Sequence, residues 1–359
     1  MTARRSAGKV SAPAPGKPAS GSAPDGSAET AALPRPAHST GSATPPPRPS
    51  PRRAGLVPTD VADALSSALA KAAKAIRDNE PGSRRGSAME HVHQMRVATR
   101  RIRAYLKAAR PALHPEAADA LRADLAGLAM ALGQVRDLDV MIDRMHSEAT
   151  ALGDPDTVAL KRLIGQLDGD RRRARSALIA ELDKPEFTGM LADLDRAAAD
   201  PPVADPWADL SQLAGLEWDR LARRRAKLMT NFGDSPPDDD LHALRILGKR
   251  ARYGAELLAA GGGRTAGGEA GAAAVKRFLV ALAELQEVLG DHQDASVLED
   301  RLREMVGAQS ADPKAPTDAA AALAAGRVIE GCRRRRLEAR AAFPGTWEAV
   351  GKAAEHAFG

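Results

Sequence analysis

The amino-acid sequence predicts an all-α protein: two four-helix bundles related by a pseudo-two-fold axis, preceded by a disordered N-terminal tail. Three observations predict it. Ala, Leu and Arg are abundant while aromatic residues make up only 3% of the chain, and those three residue types lead the helix-propensity ranking. Beyond the first 58 residues the apolar positions recur at helical spacing, and no alternating strand pattern is found. A pair of motifs is written twice in the same order, the mark of a duplication, and two similar helical halves commonly pack about such an axis.

Residues 1–58 form the predicted tail. They are Pro, Ser, Ala, Gly and Arg with almost no large apolar side chains, too few to offset the entropy of ordering. Eight basic residues there (Arg4, Arg5, Lys9, Lys17, Arg35, Arg48, Arg52, Arg53) oppose only Asp25 and Glu29, a net +6. The whole chain carries +5, so the remainder sums to −1. Any anion-binding role of the folded part must therefore come from how charge is arranged.

After Pro58, Thr59 or Asp60 is the predicted N-cap of the first helix. Pro- and Gly-containing breaks at 79–87, 110–115, 151–156, 199–206, 232–240, 259–271 and 310–318 divide the rest into eight main helices, four in a first bundle over 59–200 and four in a second over 201–359. No run approaches the roughly 18 apolar residues of a membrane span, and no apolar stretch follows the basic N-terminus as in a secretory signal. The single cysteine, Cys332, can form no internal disulfide. The expectation is a cytoplasmic protein with no membrane partner.

The duplicated motifs carry the chemistry. A shift of 149 residues lays His93, Arg96, Arg100, Arg101 and Arg103 on His242, Arg245, Lys249, Arg250 and Arg252. Downstream of each basic stretch stands a Leu-Gly motif with an aspartate four residues after the glycine, LGQVRD at 132–137 and LGDHQD at 289–294. On a helix, His93, Arg96, Arg100, Arg103 and Lys107 fall within about 80° of one another. Met95, Ala98, Ile102, Leu106 and Ala109 face the other way, as do Leu244, Leu247, Ala251, Ala255 and Leu258 in the second copy.

An ordinary solvated face mixes acids with bases at i,i+4, because like charges there repel. This row contains no acid. Two such rows in a portion of nearly zero net charge point to one shared anionic ligand. Arginine suits phosphate, since its planar fork is permanently charged and donates two parallel hydrogen bonds. Forks on successive turns lie about 5 Å apart, a repeat that suits an extended polyanion.

The stretches HVHQMRVATRRIRAYL (91–106), LGQVRDLDVMIDRM (132–145), LHALRILGKRARYGAEL (241–257) and LQEVLGDHQDASVLEDRL (285–302) resemble the CHAD domain, the conserved histidine α-helical domain. The resemblance spans roughly 60–345. It implies two four-helix bundles with a basic pore or groove between them that binds inorganic polyphosphate, without catalysis, and with recruitment to polyphosphate granules as a consequence. Carried over residue by residue, it implies binding by His93, Arg96, Arg100, Arg103, His242, Arg245, Lys249 and Arg252, to which the row itself adds Lys107. Asp137 and Asp294 are expected to orient the arginines or to form structural ion pairs.

Two departures bear on this. Many relatives carry a preceding triphosphate-tunnel domain with an ExExK motif, absent from 1–58, which implies a stand-alone binding module. The second Leu-Gly motif has Gln293-Asp294 where the first has Arg136-Asp137, so the two halves need not bind equally.

Other readings weigh less. An enzyme acting on polyphosphate would need carboxylate-held Mg²⁺ beside the cations, and no acidic cluster accompanies the rows. Nucleic acid is disfavoured by the scarcity of aromatic residues for base stacking. Glu90 and His93 form an E-x-x-H, but a di-iron bundle requires two such pairs and two further glutamates. No metal or cofactor is expected. The arginine runs at 171–175, 223–227 and 333–336 read mostly as solvated.

Overall fold

A computed structural model describes residues 61–359, apart from Ser87, Asp234, 262–267 and 312–317, and gives backbone alone for 309–311. The expected tail and the Thr59 or Asp60 cap lie outside the described residues. Among those residues the chain is all-α, with nine α-helices and no strand. They are α1 (Val61–Arg85), α2 (Met89–Ala108), α3 (Pro115–Leu152), α4 (Asp154–Leu182), α5 (Pro185–Ala199), α6 (Leu210–Phe232), α7 (Asp238–Ala260), α8 (Gly268–Ala311) and α9 (Ala319–Phe358).

The order repeats. Helices α6, α7 and α8 stand to the second half as α1, α2 and α3 to the first, and α9 takes the place of α4 plus α5. The additional helix arises at Pro185. Its predecessor Lys184 is extended (φ −69°, ψ 141°), because the ring disfavours a helical residue before it, and Pro185 then opens α5 at the position where its missing N–H costs nothing. Pro81 and Pro344 lie inside α1 and α9. The break expected over 79–87 therefore comes late, at Gly86, whose φ of +70° is open to glycine.

Two apolar clusters hold the helices. The larger joins Leu65 and Ile76 of α1, Ile102 and Leu106 of α2, Leu128 and Leu132 of α3, Leu194 of α5, Leu221 of α6, Leu244 and Leu258 of α7, and Phe278 and Leu282 of α8. The smaller joins Met145 (α3), Leu160 and Leu163 (α4), Leu302 (α8), and Val328 and Cys332 (α9). The boundary at 200/201 falls between α5 and α6, yet both clusters draw on residues from either side of it. Long helices α3, α4, α8 and α9 thus run on from the main body as a four-helix extension. The predicted inward faces of the motif helices are buried, Met95, Ile102, Leu106, Ala251, Ala255 and Leu258 being fully so.

The few aromatic residues are concentrated. Phe278 packs edge-on to Trp218 (5.6 Å between ring centroids) and to Phe358 (5.1 Å), and Trp218 stacks on Trp347 (5.5 Å). This ties α6 and α8 to the end of α9. Phe278→Ala is expected to cost about 3–5 kcal/mol of unfolding free energy, transfer loss plus cavity. Val280→Ala, at a residue 54% exposed, is expected to change the urea midpoint little.

Candidate anion-binding cavity

Helices α2 and α7 meet directly, with Tyr105 edge-on to Tyr253 at 6.0 Å. Beside this contact lies a cavity of about 500 Å³ lined by His93, Arg96 and Arg100 of α2, His242 and Arg245 of α7, Arg136, Asp137 and Arg144 of α3, and Gln293 and Asp294 of α8. Val97, Val140, Met141, Val297 and Leu298 form its apolar wall. Both motif pairs therefore contribute to one space.

The Leu-Gly-x-x-x-Asp motif works alike in both halves. A Cβ at Gly133 would stand 3.6 Å from Arg96 Nη1, and one at Gly290 3.8 Å from Arg245 Nη2. Each guanidinium thus lies over its glycine, at ordinary van der Waals distance from where a side chain would begin. One turn on, the aspartate faces the same guanidinium: Arg96 Nη1 donates to Asp137 Oδ1 at 3.0 Å, and Arg245 Nη2 stands 3.8 Å from Asp294 Oδ1. The neighbouring Asp139 is buried and turned toward Arg171 of α4, 3.6 Å away, as its two-residue offset from Asp137 requires.

Positive charge exceeds its counter-charge here. Arg144 lies 3.7 Å from Asp291, but Arg100, Arg136 and Lys249 have no ion pair among the described residues. Arg100 stacks over the Tyr253 ring, 5.9 Å from its centroid, a cation–π contact. Lys249 lies within the field of this group. Burial first, then Arg245, Arg100 and Arg96, push its ammonium pKa down to about 7, with Asp294 opposing. Burial also lowers Arg245 and raises the Asp294 carboxyl. His93 is lowered by burial and then by Arg136, so it is a neutral ring more readily than a free histidine.

The halves differ at their histidines. His242 Nδ1 lies 2.7 Å from Gln293 Oε1, whereas the first half has Arg136 in the glutamine's place. His91 turns away from His93 toward Asn79, its Nδ1 3.1 Å from Oδ1. Among the described residues no group of three or more His, Cys, Asp or Glu is placed to hold a metal ion.

Four residues of the predicted rows do not line the cavity: Lys249, which lies in the field of Arg245, Arg100 and Arg96, and Arg103, Lys107 and Arg252. Arg252 Nε pairs with Glu256 at 3.0 Å. Arg103 stands beside Arg122 of α3, and Lys107 beside Arg250 of α7. The row is continuous along α2, but the cavity takes in only its first part, His93, Arg96 and Arg100. Arg144 was absent from the sequence-based set, and Arg136 entered it only as a motif difference. Their signal is the eight-residue spacing that puts both, with Val140 between them, on one face of α3. The run at 333–336, expected to be solvated, is bound into the protein: Arg335 pairs with Glu148, Arg336 with Asp238 (2.8 Å) and Glu299 (3.1 Å), and Arg333 with Glu299 (3.4 Å).

The CHAD domain family model matches residues 67–303, which contain every residue lining the cavity. The chain belongs to the CHAD domain family. Among solved structures it is similar to PptA from Streptomyces chartreusis, with 22% sequence identity, a TM-score of 0.63, and coverage of 80% of this chain and 98% of that one. It is likewise similar to the CHAD domain from the plant Ricinus communis, with 24% identity, a TM-score of 0.56, and coverage of 84% and 95%. These likenesses establish the fold. Two uncharacterised proteins of Mycobacterium tuberculosis, from strains H37Rv and CDC 1551, are 30% identical over 225 residues, or 61% of this chain. The match spans 41% of their own length. No described helix of the CHAD protein is long and apolar enough to cross a membrane.

Lys249→Met gives a test of this crowding. A lysine whose folded-state pKa lies below its unfolded value opposes folding while it is charged in the native state. Its cost is fullest below about pH 7 and fades as pH rises toward the ordinary lysine value near 10.5. The variant is expected to melt at a higher temperature than the parent at pH 6, with the gap narrowing by pH 9.5 in thermal unfolding.

Proposed function

We propose that the cavity binds inorganic polyphosphate and does not turn it over. One observation carries the reading: cations from both halves converge on one space, and Arg100 and Arg136 within it, with Lys249 in its field, have no ion pair among the described residues. A polyanion supplies the missing counter-charge along its whole length. Arginine forks on successive turns match a chain of phosphates better than a single one. Family membership supports the same ligand.

Two further features favour binding over catalysis and over nucleic acid. The cavity carboxylates Asp137 and Asp294 each stand against a guanidinium, which is the arrangement of an orienting group and not of a free cluster awaiting Mg²⁺. No Phe, Tyr or Trp lines the cavity, so bases would find only two histidine rings to stack on. Retention of the polymer without cleavage would hold the protein on polyphosphate granules.

Competition among labelled polyphosphate, tripolyphosphate and RNA tests the reading. Polyphosphate is expected to win, and Arg100→Ala to weaken it by about 1.5–3 kcal/mol, the range for hydrogen bonds to charged groups. Phosphate chain length is expected to stay constant with Mg²⁺. RNA binding of equal strength, or steady orthophosphate release, would contradict the proposal.

Binding is also expected to take up a proton at Lys249. The bound polyanion raises the lysine pKa from its depressed value near 7, so affinity should fall as pH rises from about 7 toward 9. Calorimetry at pH 8 in buffers of different ionisation enthalpy reads the uptake directly, and Lys249→Arg should abolish it while retaining binding.

A further inference from the structure

At one pair of equivalent positions the halves carry opposite charge. The shift that superimposes the motifs lays Lys107 of α2 on Glu256 of α7. Each then meets the equivalent of the other's partner: Glu256 stands 3.3 Å from Arg101, and Lys107 lies beside Arg250, the residue onto which Arg101 falls. The α2–α7 crossing therefore has two matching flanks with different electrostatics.

On the first flank the charge is closed. Glu256 accepts from Tyr105 Oη at 2.9 Å and from Arg252 Nε at 3.0 Å, and faces Arg101 as well. On the second flank it is open. Lys107 and Arg103 have no ion pair among the described residues. The Lys107 ammonium is held below its ordinary pKa by Arg250 first, then by burial, Arg122 and Arg220, with Glu217 the opposing carboxylate. That glutamate is already shared by Arg220 and by Arg250, the latter at 2.9 Å. Arg122 is taken by Asp119 at 3.0 Å.

The open flank lies on the face of α2 that carries Arg100 of the cavity. Lys107 lies about 20° around the α2 axis from Arg100 and about 10 Å further along, with Arg103 one turn beyond Arg100. We propose that a bound polyanion longer than the cavity leaves it along α2, over Arg103 and Lys107 with Arg250 opposite, and that Glu256 closes the equivalent way out along α7. The proposal rests on the polyphosphate reading of the cavity and gives the bound chain one preferred path. Long polymers gain contacts on that path that short ones cannot reach.

The matched variants Arg103→Met and Arg252→Met remove the same charge at equivalent positions on the two flanks. Their binding to tripolyphosphate and to long-chain polyphosphate is compared with that of the parent, with Lys107→Met as a second probe of the open flank and circular dichroism as the check on folding. Arg103→Met and Lys107→Met are expected to weaken the long chain by about tenfold, one charge-assisted contact, and to leave tripolyphosphate nearly unchanged. Arg252→Met should leave both ligands nearly unchanged. Equal losses from Arg103→Met and Arg252→Met, or equal losses on both ligands, would overturn the single path. Normal binding by Arg100→Ala would instead overturn the reading of the cavity, and the path with it.

Discussion

Like charge held at close quarters is the constraint on which the rest of this structure depends. Two unit charges about 5 Å apart at an effective dielectric near 20 repel by roughly 3 kcal/mol, and the cavity gathers Arg96, Arg100, Arg136, Arg144 and Arg245 with Lys249 in their field. Asp137, Asp291 and Asp294 relieve part of this. The remainder is borne by the apolar cores on either side, which fix α2 against α7 whatever the charges prefer. A ligand that neutralises the group returns that cost as binding energy, the usual exchange between stability and function.

The framework that gathers these charges is simple. Each motif helix turns one face inward, Met95, Ile102 and Leu106 on α2 and Leu244, Ala251 and Leu258 on α7, and this leaves the basic face to the shared space. Each Leu-Gly motif then meets one arginine twice, at Gly133 or Gly290, over which the guanidinium lies, and at the carboxylate one turn later. Duplication supplies both copies. Divergence after it, Gln293 for Arg136 and Glu256 for Lys107, makes the two halves unequal.

Helical phase made much of this legible in the sequence. The inward faces, the duplicated rows and the arginine–aspartate pairing follow from a 3.6-residue period applied to one chain. Phase does not say where two helices cross, and so Arg103 and Lys107 read as equal members of the row with Arg96 although they lie outside the cavity. Long-range pairs were equally hidden: Arg252 has its acid four residues away, but Arg335 and Arg336 find Glu148 and Asp238 on other helices. The division of the cores was invisible for the same reason, since a periodic apolar face does not name its partner. Pro185 was legible in principle, since a proline within a helical run ends the helix at the residue before it.

The central claim is that both basic rows grip one ligand. Binding stoichiometry in a mutant cycle tests it most directly, with Arg96→Ala, Arg245→Ala and the double variant titrated by polyphosphate in calorimetry. The account predicts one chain bound per protein, weakened by either single change, with a double-variant loss that departs from the sum because the sites share a ligand. Two equal sites, each abolished by the change in its own half and untouched by the other, would contradict it.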